Sequence, residues 1–257
     1  MAIRAATAPA RRSSAACRTT EGGGARLPPR AIPRFAMGYA LSSTASFAMI
    51  GGQAIFLDLR SDRYLALAPE QHAALEAAIS QPDSRDATLS SLEPLVRAGL
   101  LVEAEGSHVL NPSAHAAPPR TSALDYAPKN LSFIQFTGAV RSLLITKARL
   151  RYGALNNAVD RLRRRKQRYA CGNMPAEQLH AVVAAFDKTR MILSPHRQCL
   201  PRSLALAHRL TGLGFRVDLV FGVAINPFNA HCWVQHNDVV LNDLLEHVSG
   251  YVPILVV

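Results

Sequence analysis

Pro201, two residues after Cys199, is the feature that most restricts what this chain can build. Proline has a fixed φ and no N–H, so a helix accepts it only in its first turn. Leu200, Leu204, Ala207 and Leu210 then recur at helical spacing, and Gly212 and Gly214 stop the pattern. The stretch Gln198-Cys199-Leu200-Pro201-Arg202-Ser203-Leu204-Ala205-Leu206 therefore reads as a helix start with a thiol at its mouth. The positive end of a helix dipole lowers a thiol's pKa and favours the nucleophilic thiolate.

A thiolate nucleophile needs a base, and the base needs a group to orient it. Phe215 to Val223 alternates apolar and polar residues as a half-buried strand does. Pro227 breaks it; residues 230–235 form a second strand and 239–243 a third, with Asn237-Asp238 as turn residues. His231 and Asp243 then fall on neighbouring strands. A two-residue loop would turn Asp243 to the other face. A three-residue loop, His236 to Asp238, sets it across from His231, and this register or an equivalent bulge is the expectation.

Other readings compete. His196, Cys199, His231, Cys232 and His236 are zinc-ligand types, but His231 and His236 face opposite sides of a strand, and no metal site is expected. Cys199 and His231 could be ordinary core residues, which is how Cys232 is read. A Cys171–Cys199 disulfide is disfavoured, because four cysteines and no secretory signal do not suggest an oxidising compartment.

The first 36 residues carry seven arginines and one acid among Ala, Gly, Ser and Pro. They read as a disordered or mis-annotated extension, with the true start at Met37. Setting them aside lowers the net charge from +11 to +5, so no nucleic-acid partner is demanded. No apolar run is long enough for a membrane span.

Residues 37–112 suggest a first unit. A short strand near Tyr39 precedes a hairpin, 54–59 with 63–67, turned at 60–62. Helices follow at 70–79 and 88–98, the second containing Pro94, and then a wing hairpin of 100–103 with 108–110. This is a winged-helix-like plan. Its second helix has one arginine and one glutamate, too little for a phosphate backbone. Capture of an extended peptide on the hairpin edge fits better. Residues 113–130 read as linker. Residues 131–257 begin with helices near 136–151, 155–168 and 175–193, the first with an apolar stripe of Val140, Leu143, Leu144, Ala148 and Leu150. Nine basic residues and one acid lie between Lys147 and Arg168. They make a solvated helix face or an electrostatic guide for an acidic partner.

The segments Cys199-Leu-Pro-Arg-Ser-Leu-Ala-Leu, Phe228-Asn-Ala-His231-Cys-Trp-Val-Gln, Leu241-Asn-Asp243 and Tyr251-Val-Pro-Ile-Leu resemble the B proteins of lasso-peptide biosynthesis. These are transglutaminase-like cysteine peptidases that remove the leader from a ribosomal precursor. Cys232 departs from the small apolar residues commoner there. The resemblance implies an α+β chain with a papain-like, transglutaminase-like peptidase domain over 131–257. Cys199 would be the nucleophile, His231 the general base and acid, and Asp243 the group holding the imidazole. Residues 57–67 are similar, over a shorter stretch, to the precursor-recognition element of peptide-modification pathways, with Leu57, Leu59, Arg63, Tyr64 and Leu65 as leader-binding candidates. A cytoplasmic setting is expected from the cysteine usage and the lack of a secretory signal; the resemblance also implies a preference for threonine near the leader's end and an asparagine-synthetase-like cyclase as partner. The chain itself would bind no cofactor, any ATP requirement belonging to the cyclase. Acyl transfer to an amine and a non-catalytic peptide-binding scaffold are the alternatives.

Overall fold

Apolar runs that ignore a two-residue alternation need cover on both faces, and two of them organise the first part of the molecule. The computed structural model describes residues 37–82, 89–112, 116–126, 132–169, 175–191 and 198–257. Strands β2 (Ala45–Ile50), β3 (Gln53–Asp58) and β4 (Arg63–Ala66) form an antiparallel meander, with Phe47 opposite Phe56 and Asp58 opposite Arg63. On one face Phe47 and Phe56 stack at 5.0 Å and pack against helices α1 (Pro69–Ser80) and α2 (Leu89–Arg97). On the other, Ala48, Ile50, Ile55 and Leu57 join the core of the C-terminal half. The hairpin expected at 54–67 is thus β3–β4, and β2 is an addition that sequence reading missed. Phe35–Val257 make one compact unit.

The expected wing hairpin is not made. β5 (Leu101–Glu105) pairs instead with β1 (Met37–Leu41), and Val109 meets the far side of β1 through a single bridge to Ala40. His108 accepts the Tyr39 N–H on Nδ1 at 2.9 Å and stacks on its ring, which commits 108–110 to β1. Helix α1 buries Ala74, Leu75 and Ala78, the face its spacing indicates. The expected start of the second helix at Thr88 lies outside the described residues, as do residues 1–36.

The stretch read as linker is partly structural. β6 (Thr121–Ser122) pairs in parallel with β9 (Val239–Val240), closing a five-stranded sheet of order β10-β7-β8-β9-β6. Its other strands are β7 (Asp218–Ala224), β8 (Asn229–His236) and β10 (Val252–Val256). Residues 113–115 and 127–131 are outside the described set.

Helices α3 (Phe133–Tyr152), α4 (Leu155–Tyr169), α5 (Ala176–Lys188) and α6 (Cys199–Gly212) contribute the rest of the main core. Leu143 of α3 is buried, but Leu144, also assigned to its stripe, is 54% exposed. Consecutive helical residues are about 100° apart, and the core takes Ala139, Leu143 and Thr146. In α5 the buried residues include Leu179, Val182, Val183 and Phe186, while Met191 beyond its end is exposed. No described helix is long and apolar enough to cross a membrane.

Candidate active site

Helix α6 begins at Cys199 with Pro201 in its first turn, as the residue types require. Leu204, Ala207 and Leu210 are buried, anchoring the helix so that its N-terminal end opens into a cleft of about 390 Å³. Cys199, His231, Asp243 and His247 all line this cleft.

His231 stands on β8 across from Gly222 of β7. A Cβ at 222 would come within 2.7 Å of the Trp233 ring, so glycine there lets the indole lie flat over the strand. That ring stacks on His231 at 6.2 Å, and Trp233 Nε1 donates to Gln235 Oε1 at 3.1 Å. His231 Nε2 and Asp243 Oδ2 are 2.6 Å apart. With Nε2 so engaged, Nδ1 is the nitrogen left for Cys199, whose thiol sits against both the imidazole and the Cys232 thiol.

The route by which Asp243 reaches His231 differs from the expected one. The β8–β9 register pairs Gln235 with Val240 and His236 with Val239, which is the two-residue Asn237-Asp238 loop, not the three-residue one. Asn237 takes the left-handed conformation (φ 54) that asparagine tolerates in such turns. Continued, this ladder would put Leu244 opposite His231. It stops instead after Val240. Leu241 still donates to Val234 C=O at 2.8 Å, but the Val234 N–H turns to the side chain of Asn242, Oδ1 at 2.7 Å. The side-chain oxygen takes the role of a ladder carbonyl, so the backbone leaves the sheet without orphaning a buried donor. Asn242 Nδ2 donates to Ser203 Oγ at 2.8 Å, and Ser203 Oγ donates to Cys232 C=O at 2.9 Å. Helix, strand and departing loop are thereby tied together one turn after Cys199.

Asp243 is held on every side. Its Oδ1 accepts from the Leu244 N–H at 2.9 Å and lies 3.0 Å from His247 Nδ1, and its carbonyl accepts from Ser122 Oγ at 2.7 Å. The linker serine thus fixes the carboxylate's backbone. His247 belongs to the short helix α7 (Leu245–Val248), and its ring centre is 4.7 Å from that of His231. Asn242, Ser203, Ser122 and His247 went unassigned in the sequence, which shows only ordinary polar residues at those positions.

The electrostatics follow from these contacts. Contact with Cys232, then with the positive His231, lowers the Cys199 thiol to about 4 despite burial. Burial pulls His231 down, yet Asp243 and the thiolate outweigh it and raise the imidazole to about 9. Burial likewise opposes the charge on Asp243, but the bonds from His231, His247 and the Leu244 amide keep it well below the usual carboxylate range. Cys232, fully buried beside the thiolate, is pushed up and stays neutral. Near neutral pH the cleft therefore holds a thiolate–imidazolium pair with its carboxylate.

The five residues expected to meet a leader separate into two groups. Leu57 and Leu59 are core side chains, 0% and 1% exposed, because their face of the sheet packs on the C-terminal half; this corrects the expectation for both. Arg63 is exposed, Leu65 is 37% exposed, and Tyr64 is half-buried with its ring edge-on to Phe228 at 5.6 Å. Tyr64 and Leu65 line a groove of about 370 Å³ with Ile55, Ile225, Pro227 and Phe228. Cys171 and His196, members of the competing disulfide and zinc readings, lie outside the described residues. Among those described, His231, Asp243 and His247 group with ligand atoms within 4.8 Å, and their mutual hydrogen bonds account for the grouping.

No curated protein and no solved structure matches the chain. Residues 142–256 match the family described as the transglutaminase-like superfamily, a span that runs from within α3 to the end of β10 and takes in all three proposed reacting side chains. The helix-borne thiol and the strand-borne imidazole both lie within this match: residues 142–256 of the α+β chain make a C-terminal transglutaminase-like domain.

Proposed function

We propose that the protein is a leader peptidase of lasso-peptide biosynthesis, hydrolysing the leader–core bond of a ribosomal precursor in the cytoplasm through a thioester on Cys199. The observation that carries this reading is the acidic thiol at the start of α6, set against an imidazole whose far nitrogen lies 2.6 Å from Asp243. The Cys199 thiolate attacks the scissile carbonyl, and the Cys199 N–H at the helix start donates to the developing oxyanion. His231, already an imidazolium, protonates the leaving amine. Now neutral, it takes a proton from the water that hydrolyses the thioester.

The first unit serves as the recognition element in this proposal. Strand β4 is the open edge of its three-stranded sheet, and an extended leader adds there by main-chain bonds. Arg63, Tyr64 and Leu65 present side chains to it. Tyr64 packs on the same core as Cys199, and its hydroxyl pKa is raised first by burial, with Cys232, Asp62 and Cys199 adding to it. The amine released by cleavage passes to an asparagine-synthetase-like cyclase, which consumes the ATP.

Mass spectrometry of a leader-bearing precursor incubated with the protein tests this. The wild type is expected to release leader and core, and Cys199→Ala to bind the precursor without cutting it. Unchanged cleavage by Cys199→Ala removes the mechanism. A leader product joined to an added primary amine, with no free acid formed, assigns acyl transfer to amines instead.

A further inference from the structure

The basic run of α3 and α4 does not lie uniformly against solvent. Some of its cations have protein partners: Arg163 lies 3.3 Å from Asp160, and Lys166 lies 2.7 Å from Asp218. Among the described residues no carboxylate is in ion-pair reach of Arg149, Arg161, Arg165 or Arg209, although the Arg165 guanidinium lies over the Tyr169 ring at 5.3 Å. Three of the four, Arg149 from α3, Arg165 from α4 and Arg209 from α6, line a cavity of about 170 Å³ with His208, Ser142 and Thr146.

The crowding has an electrostatic cost that no carboxylate among the described residues offsets by an ion pair. Burial, together with Arg165, Arg149 and Arg161, lowers His208 to about 4, so the imidazole adds no charge of its own at neutral pH. The Nε atoms of Arg161 and Arg165 are buried without a hydrogen-bond partner. A buried donor left unmade is costly, and like charges brought together raise that cost. Guanidinium forks, two hydroxyls and a neutral imidazole are together suited to a tetrahedral oxyanion, which accepts several charge-assisted bonds at once.

We propose that this cavity between α3, α4 and α6 binds a phosphate group, either free or as a phosphate ester. It lies at the C-terminal end of α6, whose other end carries Cys199, and is separate from the cleft. The proposal is independent of the peptidase reading, because the site is defined by groups that take no part in that chemistry.

Calorimetric titration of the full-length protein with inorganic pyrophosphate tests it, paired with thermal unfolding in pyrophosphate and in sodium chloride of equal ionic strength. Saturable binding and a rise in the unfolding midpoint beyond that in chloride are expected. The double variant Arg149→Gln/Arg209→Gln changes two exposed side chains and should weaken binding about tenfold or more. Arg165→Lys keeps the charge but loses the fork, and should also weaken it. Adenosine monophosphate binding with the same sensitivity assigns the site to phosphate esters, and pyrophosphate alone to free oxyanions. Pyrophosphate acting no differently from chloride, or binding equally well to the variants, overturns the proposal. So does a glutamate-rich peptide that binds the cavity more tightly than pyrophosphate.

Discussion

At the scale of single residues, the reactivity of Cys199 is set by what touches its sulfur. A thiol at about 4 and an imidazole at about 9 bound the interval in which both partners are charged. Below it the thiolate regains a proton; above it the imidazolium loses the proton meant for the leaving amine. The specificity constant for precursor cleavage is therefore expected to rise through about pH 4 and fall through about pH 9, with alkylation of Cys199 following the acid limb. A thiol that alkylates only above pH 8 would contradict the contacts described. Asp243→Asn removes the negative partner of His231 while keeping its shape. The imidazole pKa should fall, the thiol pKa should rise, and the specificity constant should drop by at least about a hundredfold, read from rate profiles. Cys199, His231 and Asp243 were visible in the sequence because their types and order are unusual together. Asn242 was not, because an asparagine near a turn has many ordinary uses.

Among elements, the segment that leaves the sheet after β9 decides whether the carboxylate meets the imidazole. Residues 239–243 read as a continuous strand, and within a regular ladder the observed loop would send Asp243 to the wrong face. Asn242 resolves this by giving the Val234 amide an acceptor while the backbone departs. Asn242→Ala is expected to cost about 1–3 kcal/mol in urea unfolding, as the Val234 N–H loses its acceptor and Ser203 loses its partner. Activity should suffer more than stability does, since Asp243 loses its guide. Loss of stability with unchanged kcat would show that the loop holds its course by other means. The helices were more legible than this loop. Pro201 and the Leu204, Ala207, Leu210 spacing define α6 locally, whereas the choice between Leu143 and Leu144 on α3 depends on where neighbouring helices lie.

For the whole molecule, the meander β2–β3–β4 has no face of its own to expose. Phe47 and Phe56 need α1 and α2; Ile50, Ile55 and Leu57 need the C-terminal core. Thermal unfolding followed by calorimetry and by Trp233 fluorescence is therefore expected to show one shared transition. Residues 131–257 expressed alone would bare that apolar surface, lose Ser122 from behind Asp243, and should unfold at a lower temperature or aggregate. Two separate transitions, or a stable and active isolated fragment, would oppose a shared core. By itself the sequence determined the local matters: where α6 begins, that β3, β4, β7 and β8 are strands, and which three side chains make the candidate triad. Proline stereochemistry, apolar period and residue type act over a few positions and need no distant partner. Only the tertiary structure decided that Leu57 and Leu59 are core, that Thr121–Ser122 is an edge strand, and how Asp243 comes round to His231. Each of these depends on contacts between residues far apart in the chain, and such contacts leave no periodic mark on the residues that make them.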